Sequence, residues 1–280
     1  MTRFAPPVNI RKMKGLIAQC GSEEEYIKTI KRGYRFNPIE FVHHFGIRES
    51  NGVLTPYKLF PKQELFIRWV NMNKAHCHKE LYAVTVKEVG STTAILLYLI
   101  HQWLFGDELV LGIGVSDSKK LGNTYWPFIK KFLSFLPEYF LPDDFDFDTC
   151  LNYNELRNEE TGSLLLGENR STMGRTGYAD FYVIDGFTDI KFPKKVKDRM
   201  VEGSKCCLYM SKYAPMTEAG KIFLKDTIKT DKLFKFNWKD FPGRDHFWYD
   251  RARKGISKER QHIELNGTPY KQWKLYDEEM

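Results

Sequence analysis

The sequence predicts an α/β protein: a mostly parallel sheet with helices on both faces, preceded by a helical N-terminal segment. Three observations predict it. Four short β-rich apolar runs, Leu81–Val86, Leu109–Val115, Phe181–Asp185 and Cys206–Ser211, alternate with stretches of helical character. Parallel strands need long crossover connections, usually helices, so this alternation reads as a series of crossover units. The apolar run Ala94–Phe105, broken by His101 and Gln102, is too short to span a bilayer and reads as a buried helix. Finally, 280 residues that are 42% hydrophobic and 15% aromatic can bury a full core, which excludes wholesale disorder, a collagen-like chain and a coiled-coil rod.

The elements follow in order. Residues 1–55 form the N-terminal segment, with residues 1–50 reading as helical. Ser22-Glu23-Glu24-Glu25 is a helix start of the capping-box type, leading into Tyr26, Ile27 and Ile30. Asn37-Pro38 opens a second helix with Phe41, Val42 and Phe45 at helical spacing. Gly52 and Pro56 punctuate a loop. Pro61 opens a helix whose apolar face is Leu65, Phe66, Trp69 and Val70. After the first strand, Lys87–Thr93 forms a loop into the Ala94–Phe105 helix. After the second, Ser116-Asp117-Ser118 is a polar helix start, and Asn123–Leu136 is helical up to Pro137.

Charge is unevenly spread. Residues 191–260 hold 19 Lys/Arg and 9 Asp/Glu, a surplus of ten positive charges within a chain of net +7. Such a region suits a polyanionic partner, nucleic acid first and an anionic membrane second, or is simply a solvated lysine surface. The five cysteines are irregularly spaced with no CxxC pair, so neither a disulfide framework nor a zinc knuckle is expected and a reducing compartment fits best. Met1–Ile10 has no apolar core of a signal peptide. His76-Cys77-His78 lacks further ligands for a metal, and the acids Asp143, Asp144, Asp146 and Asp148 read as a solvated loop.

Two strand ends carry the chemical signals. In sheets of this kind, ligands sit beyond the carboxyl ends of the strands. The first strand runs into Gly90, Ser91, Thr92 and Thr93 at a helix start, where backbone N–H groups favour a phosphate and a hydroxyl can hold Mg²⁺. Against the P-loop pattern G-x-x-x-x-G-K-[ST], only the last Gly and the Thr remain: Thr85 stands at the first Gly and Ser91 at the Lys. The third strand ends in Asp185, in the manner of the Walker B acid whose carboxylate reaches that Mg²⁺. An ordinary capped turn and a turn-forming Asp are the alternatives.

The order of these signals resembles the ATPase domain of the large terminase subunit of tailed bacteriophages, over nearly the whole chain. Asn37–Phe45 looks like that family's N-terminal opening segment, and Phe60-Pro-Lys-Gln63 like its adenine-contacting Gln motif. Thr85-Val-Lys-Glu-Val-Gly-Ser-Thr-Thr93 looks like its divergent Walker A, with Lys87 as the early basic residue. Arg170–Asp180 followed by Asp185 resembles the approach to Walker B, and Ser211 falls at the coupling motif. Phe236–Asp245, Trp248-Tyr249 and Ser257–Glu264 look like the segment that closes the domain. The Trp and Tyr residues there read as packing rather than base stacking.

The resemblance implies a P-loop NTPase-like domain over residues 56–280 and ATP with Mg²⁺ as cofactors. Gln63 would read adenine. Lys87, Gly90, Ser91, Thr92 and Thr93 would bind the nucleotide, and Thr92 and Asp185 the Mg²⁺. Arg170 and Arg175 would be the transition-state arginines and Ser211 the coupling residue. It further implies double-stranded DNA, a portal and a small terminase subunit as partners, a homo-oligomeric ring, no membrane, and the host cytoplasm as location. The sequence departs from the family in three ways. No Lys precedes Thr92; Gly186 follows Asp185 where the family has its catalytic Glu, with Asp189 the nearest substitute; and the family's RNase H-like nuclease has no counterpart, which implies a nuclease that is lost, removed or carried by a separate subunit. The first two gaps also fit a second reading, a non-hydrolysing terminase-like scaffold that binds nucleotide or DNA; a general nucleic-acid-binding protein is a third.

Overall fold

The computed structural model describes residues 21–50, 53–76, 79–169, 172–174, 177–214 and 216–269. Strands β1 (Ile47–Ser50) and β2 (Val53–Pro56) form an antiparallel hairpin. The main sheet has eight strands: β3 (Glu80–Val84), β4 (Val110–Val115), β5 (Leu151–Asn152), β6 (Glu155–Asn158), β7 (Ser163–Asn169), β8 (Phe181–Asp185), β9 (Cys207–Ser211) and β10 (Leu233–Lys235). Their order is β10-β3-β9-β8-β4-β7-β6-β5. β10, β3, β9 and β8 run parallel to one another, whereas β7, β6 and β5 pair antiparallel. The α/β architecture is therefore as expected, with an additional antiparallel set at one edge.

Every residue of β8 and β9 is buried, as are four of the five in β3. Successive strand residues point to opposite faces, so unbroken burial means that both faces of these strands are covered. The chain folds into two compact units. One comprises the described parts of Met1–Leu59, Thr93–Leu111 and Gly122–Leu166, and the other those of Phe60–Thr92, Gly112–Leu121 and Gly167–Met280.

The first unit is held by aromatic packing. Helix α1 (Glu23–Arg35) is capped by Ser22, whose hydroxyl accepts the Glu25 N–H, and three glutamates in its first turn suit the positive end of the helix dipole. Helix α2 (Pro38–Phe45) starts at Asn37, as expected, and buries Ile39, Phe41 and Val42. The rings of Tyr34, Phe45, Phe105, Phe132 and Phe140 and the imidazole of His101 gather around Phe41. His101 breaks the apolar run without breaking the core: its Nε2 meets the carbonyl oxygen of Tyr34 at 2.8 Å, which requires the proton on Nε2. The acidic residues near 146 behave as a solvated loop, with Asp146 capping one turn and exposed Asp148 paired with Lys130. The hairpin differs from the helix and loop expected over residues 47–56. Strands of four residues are too short for periodicity to register, and Asn51-Gly52 between them was the available hairpin signal.

In the second unit, helix α3 (Pro61–Ala75) buries Gln63, Phe66, Ile67, Val70 and Asn73. Leu65, expected on that face, is 56% exposed. The true face runs through two polar residues, so an apolar-only pattern lands one position away. The register then brings three strand ends together: Val84 pairs with Ser211, and Asp185 with Met210. The start of the Gly90 loop, Ser211 and Asp185 thus leave the sheet side by side. The C-terminal rings pack on each other as expected, Trp238 stacking on Tyr249 at 4.6 Å and on Trp248 at 6.0 Å.

Candidate functional site

The loop between β3 and helix α4 (Ser91–Phe105) spans residues 85–90 and is secured at several points. The Thr85 N–H donates to the Ser211 carbonyl at 2.8 Å, and the Lys87 N–H to the Glu264 carbonyl at 3.0 Å. Glu88 and Gly90 both lie in the left-handed region, at φ 60° and 64°. Glycine adopts that conformation freely, whereas for Glu88 it costs on the order of 1–2 kcal/mol and needs support from neighbours. From beneath, Gln63 is completely buried; its Oε1 accepts the Phe60 N–H at 3.2 Å and its Nε2 donates to the Val89 carbonyl at 2.9 Å. From above, Arg244 donates to the carbonyls of Lys87 and Glu88 at 3.2 and 3.3 Å and lies over the rings of Trp248 and Phe241. Its side chain is only 6% exposed, and burial draws its pKa below the usual arginine value.

Beyond the loop, Ser91 is buried, and the Thr92 hydroxyl donates to Asp185 Oδ2 at 2.7 Å. Residues 93 positions apart thus meet at the start of α4 and the end of β8. The same carboxylate oxygen lies 3.7 Å from Lys120 Nζ. Lys87 is 67% exposed with its ammonium 3.9 Å from Glu88. Thr93 is half-buried. Arg170 and Arg175 lie outside the described residues, as do Cys77 and His78. Gly186 has φ +88°, and a Cβ there would sit 3.4 Å from Asp189 Oδ2. The position where a catalytic Glu would stand is therefore shaped for glycine, with the Asp189 carboxylate beside it.

Ser211 joins the two strand ends through its side chain. Its Oγ accepts the Thr188 N–H at 3.1 Å and lies 2.6 Å from the Thr188 hydroxyl. Helices α5 (Trp126–Phe135) and α6 (Pro193–Gly203) precede helix α7 (Glu218–Lys229); the Thr217 hydroxyl caps α7 and donates to the Thr188 carbonyl at 3.2 Å. One chain of bonds therefore runs from the Thr85 backbone through Ser211 and Thr188 to the head of α7.

No family model matches the chain, and no curated relative matches it. Solved structures do. The ATPase domain of the large terminase of Thermus phage P74-26 superposes with a TM-score of 0.54 at 15% identity, over 76% of this chain and 95% of that domain. The large terminase of bacteriophage HK97 gives 0.57 at 11% identity, over 84% of this chain and 55% of that one. The fold is that of a phage large terminase ATPase domain. The large terminase of a thermophilic bacteriophage, whose structures include complexes with ADP and with ATP-gamma-S, also matches with TM-scores of 0.52. This chain spans about half the length of those large terminase chains.

Within this fold, the donor set suits a nucleotide-bound Mg²⁺. A hydroxyl and a carboxylate are hard oxygen donors, and Mg²⁺ typically takes one or two of them and completes its shell with phosphate oxygens and waters. Among the described residues no group of three or more His, Cys, Asp or Glu could hold a metal by itself. Three residues of the site escaped sequence reasoning: Lys120, Thr188 and Arg244. Lys120 had a usable signal, since it follows the carboxyl end of β4, where ligands gather. Arg244 and Thr188 had none, because their roles rest on contacts 157 and 23 positions away.

Proposed function

We propose that this chain is the ATP-hydrolysing module of a viral DNA-packaging motor, converting ATP turnover into movement of double-stranded DNA into a procapsid. The observation that carries the reading is the 2.7 Å bond between Thr92 Oγ1 and Asp185 Oδ2, which sets a hydroxyl at a helix start against an acid at a strand end. Thr92 and Asp185 would hold Mg²⁺, which when bound neutralises phosphate oxygens as charge develops on them. The Gly90–Thr93 turn and Lys87 would receive the phosphates; Gln63, expected to read adenine, is fully buried with its amide bonded to Phe60 and Val89 and would instead fix the loop, with Arg244 on its other side. Ser211 would pass a change at the nucleotide to Thr188 and α7. Arg170 and Arg175 would act on the phosphates in cis or across a subunit boundary. The basic 191–260 region, whose lysines are largely exposed, would meet the DNA backbone or a portal, giving sequence-independent, salt-sensitive binding. Partners would further include a small terminase subunit, a separate nuclease subunit and further copies of the chain in a ring, in the host cytoplasm. No helix among the described residues is long and apolar enough to cross a membrane.

A second reading, a terminase-like scaffold that binds nucleotide without hydrolysing it, is favoured by Gly186, whose backbone suits no side chain bearing a general base. Phosphate release from ATP and Mg²⁺, measured with and without DNA, separates the two. Turnover that disappears in Thr92→Ala supports the motor. Nucleotide binding without turnover supports the scaffold, and no nucleotide binding defeats both.

A further inference from the structure

A polyphosphate site needs a cation, and the position that usually supplies it holds Ser91, a buried residue without charge. We propose that Lys120, from the turn after β4, is the cation that binds the phosphates of a nucleoside di- or triphosphate in this site. The inference rests on the nucleotide-binding reading above and assigns a residue to a role that reading left to Lys87.

Three observations carry it. Lys120 Nζ lies 3.7 Å from Asp185 Oδ2, the oxygen that also accepts the Thr92 hydroxyl at 2.7 Å. The ammonium therefore stands at the meeting point of the hydroxyl and the carboxylate, where a metal-bound phosphate would be received. Sheet order explains how it gets there. β4 is the neighbour of β8, so the turn that leaves β4 emerges beside the end of the strand bearing Asp185. That turn is held at both ends of the residue: Asp117 caps it by accepting the Lys119 N–H at 2.9 Å, and Leu121 is buried. The backbone of Lys120 is thus fixed while its side chain remains 43% exposed, open to a ligand. Lys87 lacks these properties. Its side chain is 67% exposed, its ammonium lies beside Glu88 rather than Asp185, and its own carbonyl is held by Arg244. A lysine supplies a point charge with three donors, which suits a phosphate cluster and does not depend on arriving from the loop itself.

The test is calorimetric titration of the full chain with ADP and with ATP-gamma-S in the presence of Mg²⁺, for wild type, Lys120→Ala, Lys120→Arg and Lys87→Ala. Lys120→Ala is expected to weaken both ligands about 10- to 100-fold, the loss of a charge-assisted contact. Lys120→Arg is expected to recover much of that affinity, while Lys87→Ala weakens it less than Lys120→Ala does. Because the side chain is partly exposed, the melting temperature of Lys120→Ala should stay near that of wild type. Wild-type binding that Lys120→Ala leaves intact, or a larger loss in Lys87→Ala than in Lys120→Ala, would overturn the assignment while leaving the nucleotide site standing. A wild-type chain that binds neither nucleotide defeats the underlying reading as well.

Discussion

Replacing Arg244 by methionine should loosen the loop over residues 85–90 without unfolding the sheet behind it. The magnitude follows from what the guanidinium holds. Its bonds to the carbonyls of Lys87 and Glu88, at 3.2 and 3.3 Å, are long for charged hydrogen bonds and are worth roughly 1 kcal/mol each. Its positions 4.1 Å from the Trp248 centroid and 4.5 Å from that of Phe241 add about 0.5 kcal/mol each. The ion pair with Glu88, whose carboxylate is 64% exposed, adds close to nothing. Against these contacts stands the left-handed backbone of Glu88, which relaxes when the clamp is lost and returns on the order of 1 kcal/mol. The net loss is about 2 kcal/mol, or roughly a 30-fold rise in the open population of the loop. Amide hydrogen exchange reads this directly. The Lys87 amide, bonded to the Glu264 carbonyl, should exchange about 30-fold faster in Arg244→Met, while the Tyr182 amide, bonded to Cys206 within the sheet, should not change. Equal acceleration at both amides, or none at Lys87, would refute the clamp.

Three further outcomes are expected. Ser211→Ala leaves the buried Thr188 N–H without its acceptor, so the melting temperature should fall by roughly 3–8 °C, from about 1–3 kcal/mol, and any DNA stimulation of ATP turnover should fall more than basal turnover. Gly186→Glu, the apparent restoration of a catalytic acid, should destabilise the chain by about 1–2 kcal/mol in denaturant titration and fail to raise turnover, because φ +88° excludes a relaxed side chain there. Burial pushes the Tyr34 hydroxyl up to about 12, so the unfolded chain ionises first as pH rises above 10; stability is held below that pH and lost on the way to 12. Wild type should therefore lose more stability than Tyr34→Phe between pH 9 and pH 11.

How much of this could be read in the sequence depended on burial. Strands β3, β4, β8 and β9 were legible because strands covered on both faces are written as unbroken apolar runs. Strands β5 and β6 were not, since they have two and four residues and are partly polar; in β6 buried Leu156 and Asn158 flank exposed Arg157, and β7, though seven residues long, ends in Gly167, Glu168 and Asn169. Helix α3 was legible as a helix, but its face was misread at Leu65 because buried Gln63 and Asn73 carry no apolar signature. Within the site, Thr92, Asp185 and Ser211 could be found because each sits at a strand end or helix start that local pattern marks. Lys120 follows a strand end that the local pattern marks, but its meeting with Asp185 depends on strand order, and Arg244 depends on the return of the C-terminal segment over the loop, which no local pattern encodes.

In the proposed function, Thr92 and Asp185 together would receive a metal-bound nucleotide. Electron paramagnetic resonance with Mn²⁺ in place of Mg²⁺ tests it most directly, by titrating free Mn²⁺ against the full chain with and without ADP. One tightly bound Mn²⁺ per chain is expected only when ADP is present, lost in Asp185→Asn and weakened about 10-fold or more in Thr92→Ala. Nucleotide-dependent Mn²⁺ binding that survives unchanged in both variants, or no such binding in the wild-type chain, would contradict it.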